Sequence, residues 1–132
     1  MGIDIITFRD ITSMHEQGKI TDVSMGYCID KAMGSGGYYD KLFAIQHPKA
    51  TPAHINKGLD DDDRNVRYDA IQHPNATSAN IDKALKDIDV CVRLYAIHHP
   101  NVTSANIDKA LGDKDSHWVR EEAMRIKKER NL

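Results

Sequence analysis

The sequence predicts an all-α fold: a short right-handed α-solenoid of about four two-helix repeats, with a capping helix at each end. Three observations carry that expectation. His-Pro pairs stand at residues 47, 73 and 99, each 26 residues from the next. Helix-start residues recur at the same period. The composition suits a thin core, with 6% aromatic and 40% hydrophobic residues in 132 and a mean hydropathy of −0.57. A stacked array needs only a narrow apolar stripe, because each unit buries it against the next.

Self-similarity at a fixed period is the sequence mark of such arrays. Residues 73–85 read HPNATSANIDKAL and residues 99–111 read HPNVTSANIDKAL, so 12 of 13 positions match. Residues 47–59, HPKATPAHINKGL, are a looser copy. Ile29-Asp30-Lys31-Ala32-Met33 falls in register one copy earlier. A second motif lies between these blocks: Val66-Arg67-Tyr68-Asp69-Ala70-Ile71 and Val92-Arg93-Leu94-Tyr95-Ala96-Ile97. Asp40 to Ile45 is its degenerate form before them, and Val119 to Met124 its form after, shifted by one inserted residue.

Each element follows from local chemistry. Residues 1–20, with Ile3, Ile5, Ile6, Phe8 and Ile11, are expected to cap the N-terminal end, with residues 21–115 as repeats. Gly34-Ser35-Gly36-Gly37 stands where later copies have Asp-rich turns and is expected to be an inter-repeat turn. Thr51, Thr77 and Thr103 occupy N-cap positions, where a hydroxyl accepts from an orphan N–H of the first turn. Pro52 follows Thr51 at the first helical position, where a missing N–H costs nothing. Ile81, Ala84 and Leu85 then share one face at helical spacing. A second helix starts after Asp63, Asp89 or Asp115-Ser116, with Val66, Ala70 and Ile71 or their equivalents as its stripe. It stops at His-Pro, since the residue before proline is pushed out of the α region. Helices of about eight to ten residues hold only by packing. Residues 116–132 are expected to form a longer capping helix, whose basic end suits the helix dipole.

The pattern V-R-x-x-A-I-x-H-P-N-x-T-x-x-x-I-x-K-A-L, at residues 66–85 and 92–111, resembles the leucine-rich repeat variant, a HEAT-like helical repeat. The likeness covers roughly residues 38–124, and 20–37 more faintly. Members of that family alternate an α-helix with a 3₁₀-like helix, which leaves room for a 3₁₀ element in each repeat. A Cys-rich iron–sulfur segment known in the family has no counterpart here. No cofactor is expected.

Charge and cysteine content narrow the function classes. Eighteen Lys and Arg against twenty Asp and Glu give a net charge of −2, without the broad basic surface of general nucleic-acid binders. Cys28 and Cys91 are too few for a disulfide framework and fit a reduced, cytoplasmic chain; both are expected to be small packing residues. No apolar window approaches the roughly 18–20 residues a membrane span needs. Met1-Gly2-Ile3-Asp4 does not open as a signal peptide.

Equivalent positions of stacked helices form ladders. Lys41, Arg67, Arg93 and Arg120 are either a basic stripe or partners of the acidic turns. Their recurrence with Asp60 to Asp63, Asp87, Asp89, Asp113 and Asp115 favours the structural role. Lys31, Lys57, Lys83 and Lys109 are expected on a solvent face. Cys28, His54, Asn80 and Asn106 stand three residues earlier and so share that face. In HEAT-like solenoids the corresponding helix often lines the concave surface, which the resemblance implies is the binding face. Lys31, His54, Lys57, Asn80, Lys83, Asn106 and Lys109 are therefore the candidate partner-binding residues.

His47, His73 and His99 invite a metal, but neighbouring rungs are too far apart for donors about 2 Å from one ion. They are expected to bond the last carbonyls of their helices. The Asp60 to Asp63 run lacks the Gly and distal Glu of an EF-hand loop and is expected to be a solvated turn with a cap at Asp63. Asn75-Ala76-Thr77 and Asn101-Val102-Thr103 match the glycosylation pattern but are expected to be turn and cap residues. Trp118 and Tyr95 are expected in the repeat interface. No metal site or catalytic constellation can be nominated from spacing. The leading expectation is a non-catalytic protein-binding module, an adaptor, inhibitor or regulator of a larger complex. The alternative is a nucleic-acid-binding solenoid using Lys and Arg ladders. Oligomeric state is open.

Overall fold

A computed structural model of the chain describes residues 8–132, and these are all-helical. Ile3, Ile5 and Ile6 of the expected N-terminal cap lie outside the described residues. The helices are α1 (Phe8–Glu16), α2 (Asp22–Ser35), α3 (Tyr38–Gln46), α4 (Pro52–Leu59), α5 (Arg64–Ile71), α6 (Ser78–Ala84), α7 (Val90–His98), α8 (Ser104–Leu111) and α9 (His117–Glu129). All are α-helices; no 3₁₀ element stands among the described residues.

The helices pack in two rows. Helices α3, α5, α7 and α9 touch in succession, and so do α2, α4, α6 and α8. Each helix also touches the next along the chain, and α1 lies on α2 and α3. Between the rows runs one core. Val66, Ala70 and Ile71 of α5 and Val92, Ala96 and Ile97 of α7 enter it from one side, each fully buried. Ile55, Ile81 and Ile107 enter from the other, also fully buried. Fully burying such a side chain is worth about 1.5–3 kcal/mol, so short helices gain from their neighbours what they lack alone.

The helix boundaries come from side chains. Thr51, Thr77 and Thr103 accept from the N–H of the third helical residue, and that residue's side chain returns a bond to the cap's N–H. This reciprocal capping box satisfies two orphan donors at once. Asp63, Asp89 and Ser116 cap α5, α7 and α9. Helices α3 and α7 end where His47 and His99 turn extended before proline, with ψ of 135° and 138°.

The glycine-rich segment differs from the expected turn. Helix α2 continues through Gly34, and the reversal is confined to Gly36 and Gly37. At Gly36 a Cβ would stand 2.5 Å from the carbonyl oxygen of Ala32, so only glycine fits there.

Gly58 marks a close approach between the rows. A Cβ there would meet the Ala70 Cβ at 2.8 Å and the Ile45 Cδ1 at 3.2 Å. Helix preference alone favours alanine over glycine by about 1 kcal/mol. Overpacking costs about 1–3 kcal/mol. Gly58→Ala is therefore expected to lower the urea midpoint. A midpoint unchanged or raised would show that α4 can shift away from α3 and α5.

Candidate functional site

The residues nominated from the sequence are largely engaged inside the fold. His73 and His99 are 5% and 3% exposed. The His73 Nε2 lies 2.8 Å from the carbonyl oxygen of His47, and the His99 Nε2 lies 2.8 Å from that of His73. Their Nδ1 atoms accept the backbone N–H of Asn75 and Asn101. A carbonyl only accepts, so these partners assign the Nε2–H tautomer. The rail thus runs between rungs rather than back onto each histidine's own helix. At its end the His99 carbonyl accepts from Arg130 Nη1 at 3.0 Å. Asn75 adds a clamp, donating to the carbonyls of Pro48 and Ala50, and Asn101 does the same to Pro74 and Ala76. Both asparagine amides are taken up by turns.

The basic ladder joins successive turns. Lys41 Nζ lies 2.8 Å from Asp61 Oδ2. Arg67 grips Asp87 through Nε at 2.8 Å and gives Nη1 to the carbonyls of Asp61 and Asp62. Arg93, 7% exposed, donates to the carbonyls of Asp87 and Ile88; its Nε lies 2.9 Å from Asp113 Oδ2 without aiming its N–H at it. Arg120 donates to the Asp113 carbonyl at 2.5 Å. Within the Asp60 to Asp63 run, Asp61 bonds Lys41 and the N–H of Asp63, Asp60 pairs with Lys83, and Asp63 caps α5.

The expected ridge of amide and ammonium groups is divided by the structure. His54, Asn80 and Asn106 are buried, because the capping box draws their side chains back to the cap. The far ends of the two asparagines reach the preceding helix: Asn80 donates to the Pro52 carbonyl and Asn106 to that of Ser78. Only the lysines stay outside, and they are paired. Lys57 bonds Asp30, Lys83 bonds Asn56 and Asp60, Lys109 lies 2.5 Å from Asp82, and Lys31 sits over the Tyr27 ring. Lys57 holds the Asp30 carboxyl below its ordinary range, and Lys109 does so for Asp82.

A different surface emerges on the row of α3, α5, α7 and α9. Tyr39, Phe43, Tyr95 and Trp118 are exposed, Trp118 by 61% and Tyr95 by 41%. Of the two residues expected in the repeat interface, Tyr95 packs on Tyr68 across α5 and α7 while staying partly open to solvent, whereas Trp118 is corrected: it lies beside the apolar stripe of α9 and faces outward. Cys91 is exposed too, one turn before Tyr95, whereas Cys28 packs on the core. The Tyr68 and Tyr95 rings meet at 4.4 Å between centroids and bridge α5 to α7. The hydrogen bond that the Tyr68 hydroxyl donates to Tyr95, followed by burial, pushes the Tyr68 hydroxyl up to about 12. Between α7 and α9 a cleft of about 440 Å³ is lined by Leu94, Tyr95, His98 and Glu122. Arg125 lies on Glu122 at 2.6 Å and holds its carboxyl below the ordinary range; His98 approaches the same oxygen at 2.9 Å. Sequence spacing held a usable signal: Phe43, Asp69, Tyr95 and Glu122 share one register of the second motif and alternate aromatic with acid.

No group of three or more metal-ligating side chains converges among the described residues. No described helix is long and apolar enough to cross a membrane. Comparison of the chain with protein-family profiles, with curated proteins and with solved structures gives no match.

The buried imidazoles make stability depend on pH. Burial lowers the pKa of His47 and His54 below the ordinary 6.5. His15, Glu16, His73 and Lys49 also act on His47, and Asp30 and Lys57 on His54. The unfolded chain binds protons first, so this stability is complete above about 6.5 and falls as pH drops below it. The lowered carboxyls of Asp30, Asp82 and Glu122 add a second loss as pH falls through and below their ordinary 3.8 to 4.5. Urea midpoints between pH 8 and 3 are expected to fall in these two stages. His54→Asn, which copies Asn80 and Asn106, is expected to keep the capping box and shrink the first stage. A midpoint flat from pH 7.5 to 5 would contradict this account.

Proposed function

We propose that the chain is a short α-solenoid of the leucine-rich repeat variant or HEAT-like kind, and that it works as a non-catalytic protein-binding module. Two helix rows over one core support the architectural half. So does the use of each patterned residue: Thr and Asp as caps, Arg as the link between turns, and His-Pro as stop and inter-rung donor. The right-handed sense and the family itself rest on the sequence resemblance.

One observation carries the functional half. The polar ladders are paired within the molecule, while aromatic side chains on the α3–α9 row stand open. Aromatic residues are enriched at protein interfaces, where a rigid ring adds contact area at little entropic cost. We place the binding face on this row rather than on the lysine ridge. Lysines already neutralised by Asp30, Asp60 and Asp82 are poor phosphate binders, which favours a protein partner over a nucleic acid. Such a module acts as an adaptor, inhibitor or regulator.

Site-specific photo-crosslinking tests the assignment. Benzoylphenylalanine at position 39, 95 or 118 is expected to give one discrete covalent adduct in extract of the source cell, and at position 109 none. Adducts only from position 109, or none from any, would move or remove the site. Salt-sensitive retention of DNA or RNA that is lost in the Lys57, Lys83 and Lys109 to Ala triple variant would overturn the protein-binding reading.

A further inference from the structure

We propose that α1 is an acid-released cap: protonation of His47 detaches it from α2 and α3 and uncovers the apolar end of the array. His47 is the first ring of the histidine rail and is 5% exposed. Its Nδ1 accepts the backbone N–H of Lys49 at 3.0 Å, so the neutral ring carries its proton on Nε2. A second proton has only Nδ1 to go to, and taking it breaks that bond to the turn. The charge would also be buried, which is costly unless it is paired. Two rings of α1 lie against His47: Phe8 edge-on at 6.4 Å between centroids and His15 at 5.4 Å.

The charged groups around His47 do not rescue an imidazolium. His15 of α1, Lys49 of the following turn and His73 of the next rung all oppose it. Glu16 of α1 favours it, from an exposed position. Asp22 of α2 is already shared: His15 Nε2 lies 2.6 Å from its Oδ1, and Lys49 Nζ lies 3.2 Å from its Oδ2. The ring escapes by losing its cover, and the cover is light. Of the α1 side chains only Phe8 is buried, and the only helices α1 packs on are α2 and α3. His73 and His99 hold the same tautomer but lie between rungs, so freeing them means parting two layers. Departure of α1 withdraws Phe8 and Ile11 from the groove they share with Cys28 and Ala32 of α2. The docked state binds fewer protons than the released one, so release grows as pH falls below about 6.5.

Thiol exchange reads the release with residues the chain already has. Cys28 lines that groove beside α1, and Cys91 on α7 is exposed and serves as the reference. The full chain is treated with 4,4′-dithiodipyridine, and the ratio of the Cys28 rate to the Cys91 rate is followed from about pH 7.5 to 5.5, across the ordinary imidazole range. The ratio is expected to rise by up to about tenfold, the most that one pH unit below 6.5 allows. Far-UV circular dichroism is expected to change by no more than the loss of α1. His47→Asn removes the titration while its side-chain oxygen still accepts the N–H two residues on, and its ratio is expected to stay flat. His98→Gln, outside the cluster, is expected to rise like the parent. His15→Gln keeps a donor for Asp22 and removes an opposing neighbour, so its rise is expected at lower pH. A flat parent ratio, a rise retained in His47→Asn, or a dichroism loss that spans the whole chain overturns the proposal. Should His47→Asn fail to fold at neutral pH, His15→Gln decides, and a rise at unchanged pH overturns it.

Discussion

The hydrogen bond from one histidine imidazole to the carbonyl of the histidine one rung before holds the layers in register. Proline stops each helix of the α3–α7 series, and a stopped helix leaves carbonyls without intrahelical partners. The His47 carbonyl accepts the Ala50 N–H on one side and the His73 imidazole on the other, and the His73 carbonyl repeats this with Ala76 and His99. Buried without these donors, each oxygen would cost roughly 1–3 kcal/mol. A donor aimed at a fixed carbonyl also fixes how far one layer slides over the next. The isoleucine stripes, which are tolerant of sliding because burial has no direction, then meet in one alignment.

The other ladders extend the same logic outward. Asn75 and Asn101 clamp turns beside the histidine rail. Arg67, Arg93 and Arg120 tie the opposite edge, where acidic turns supply both carboxylates and carbonyls. Lysines form the outermost and weakest set, since exposed pairs are worth about 0–1 kcal/mol each. From the buried rail to the exposed pairs, the polar pattern is spent on joining layers. Apolar side chains stand exposed on the outer side of α3, α7 and α9, at Tyr39, Phe43, Tyr95 and Trp118, as well as at Val23 and Tyr27 of α2 and Ile88 of a turn.

Much of the fold was legible because helix ends are decided locally. Thr51, Thr77 and Thr103 cap helices, and His-Pro stops them, through atoms within three or four residues. The candidate site was less legible because orientation is not local. Asn80 and Asn106 sit three residues before Lys83 and Lys109, and helical spacing alone puts them together. The capping box instead turns each amide toward its own Thr and toward the helix behind, and no periodicity reports that competition. Trp118 was misplaced for a related reason. An aromatic beside an apolar stripe resembles core in sequence, and one step of helix rotation, about a quarter of a turn, puts it in solvent. The glycine segment shows the reverse limit: Gly34 is permissive enough to stay helical, and only the contact of Gly36 with Ala32 decides where the chain reverses.

Arg130 occupies, at the His99 carbonyl, the place an imidazole takes elsewhere on the rail. Every interior unit carries both a donor and an acceptor, so each is self-complementary. Duplicating a unit of 26 residues would leave no bond unmade, whereas gaining or losing 25 or 27 would strand an oxygen at each seam. The rail therefore counts in whole units. It keeps the rungs in phase, and Arg130 closes it at the His99 carbonyl.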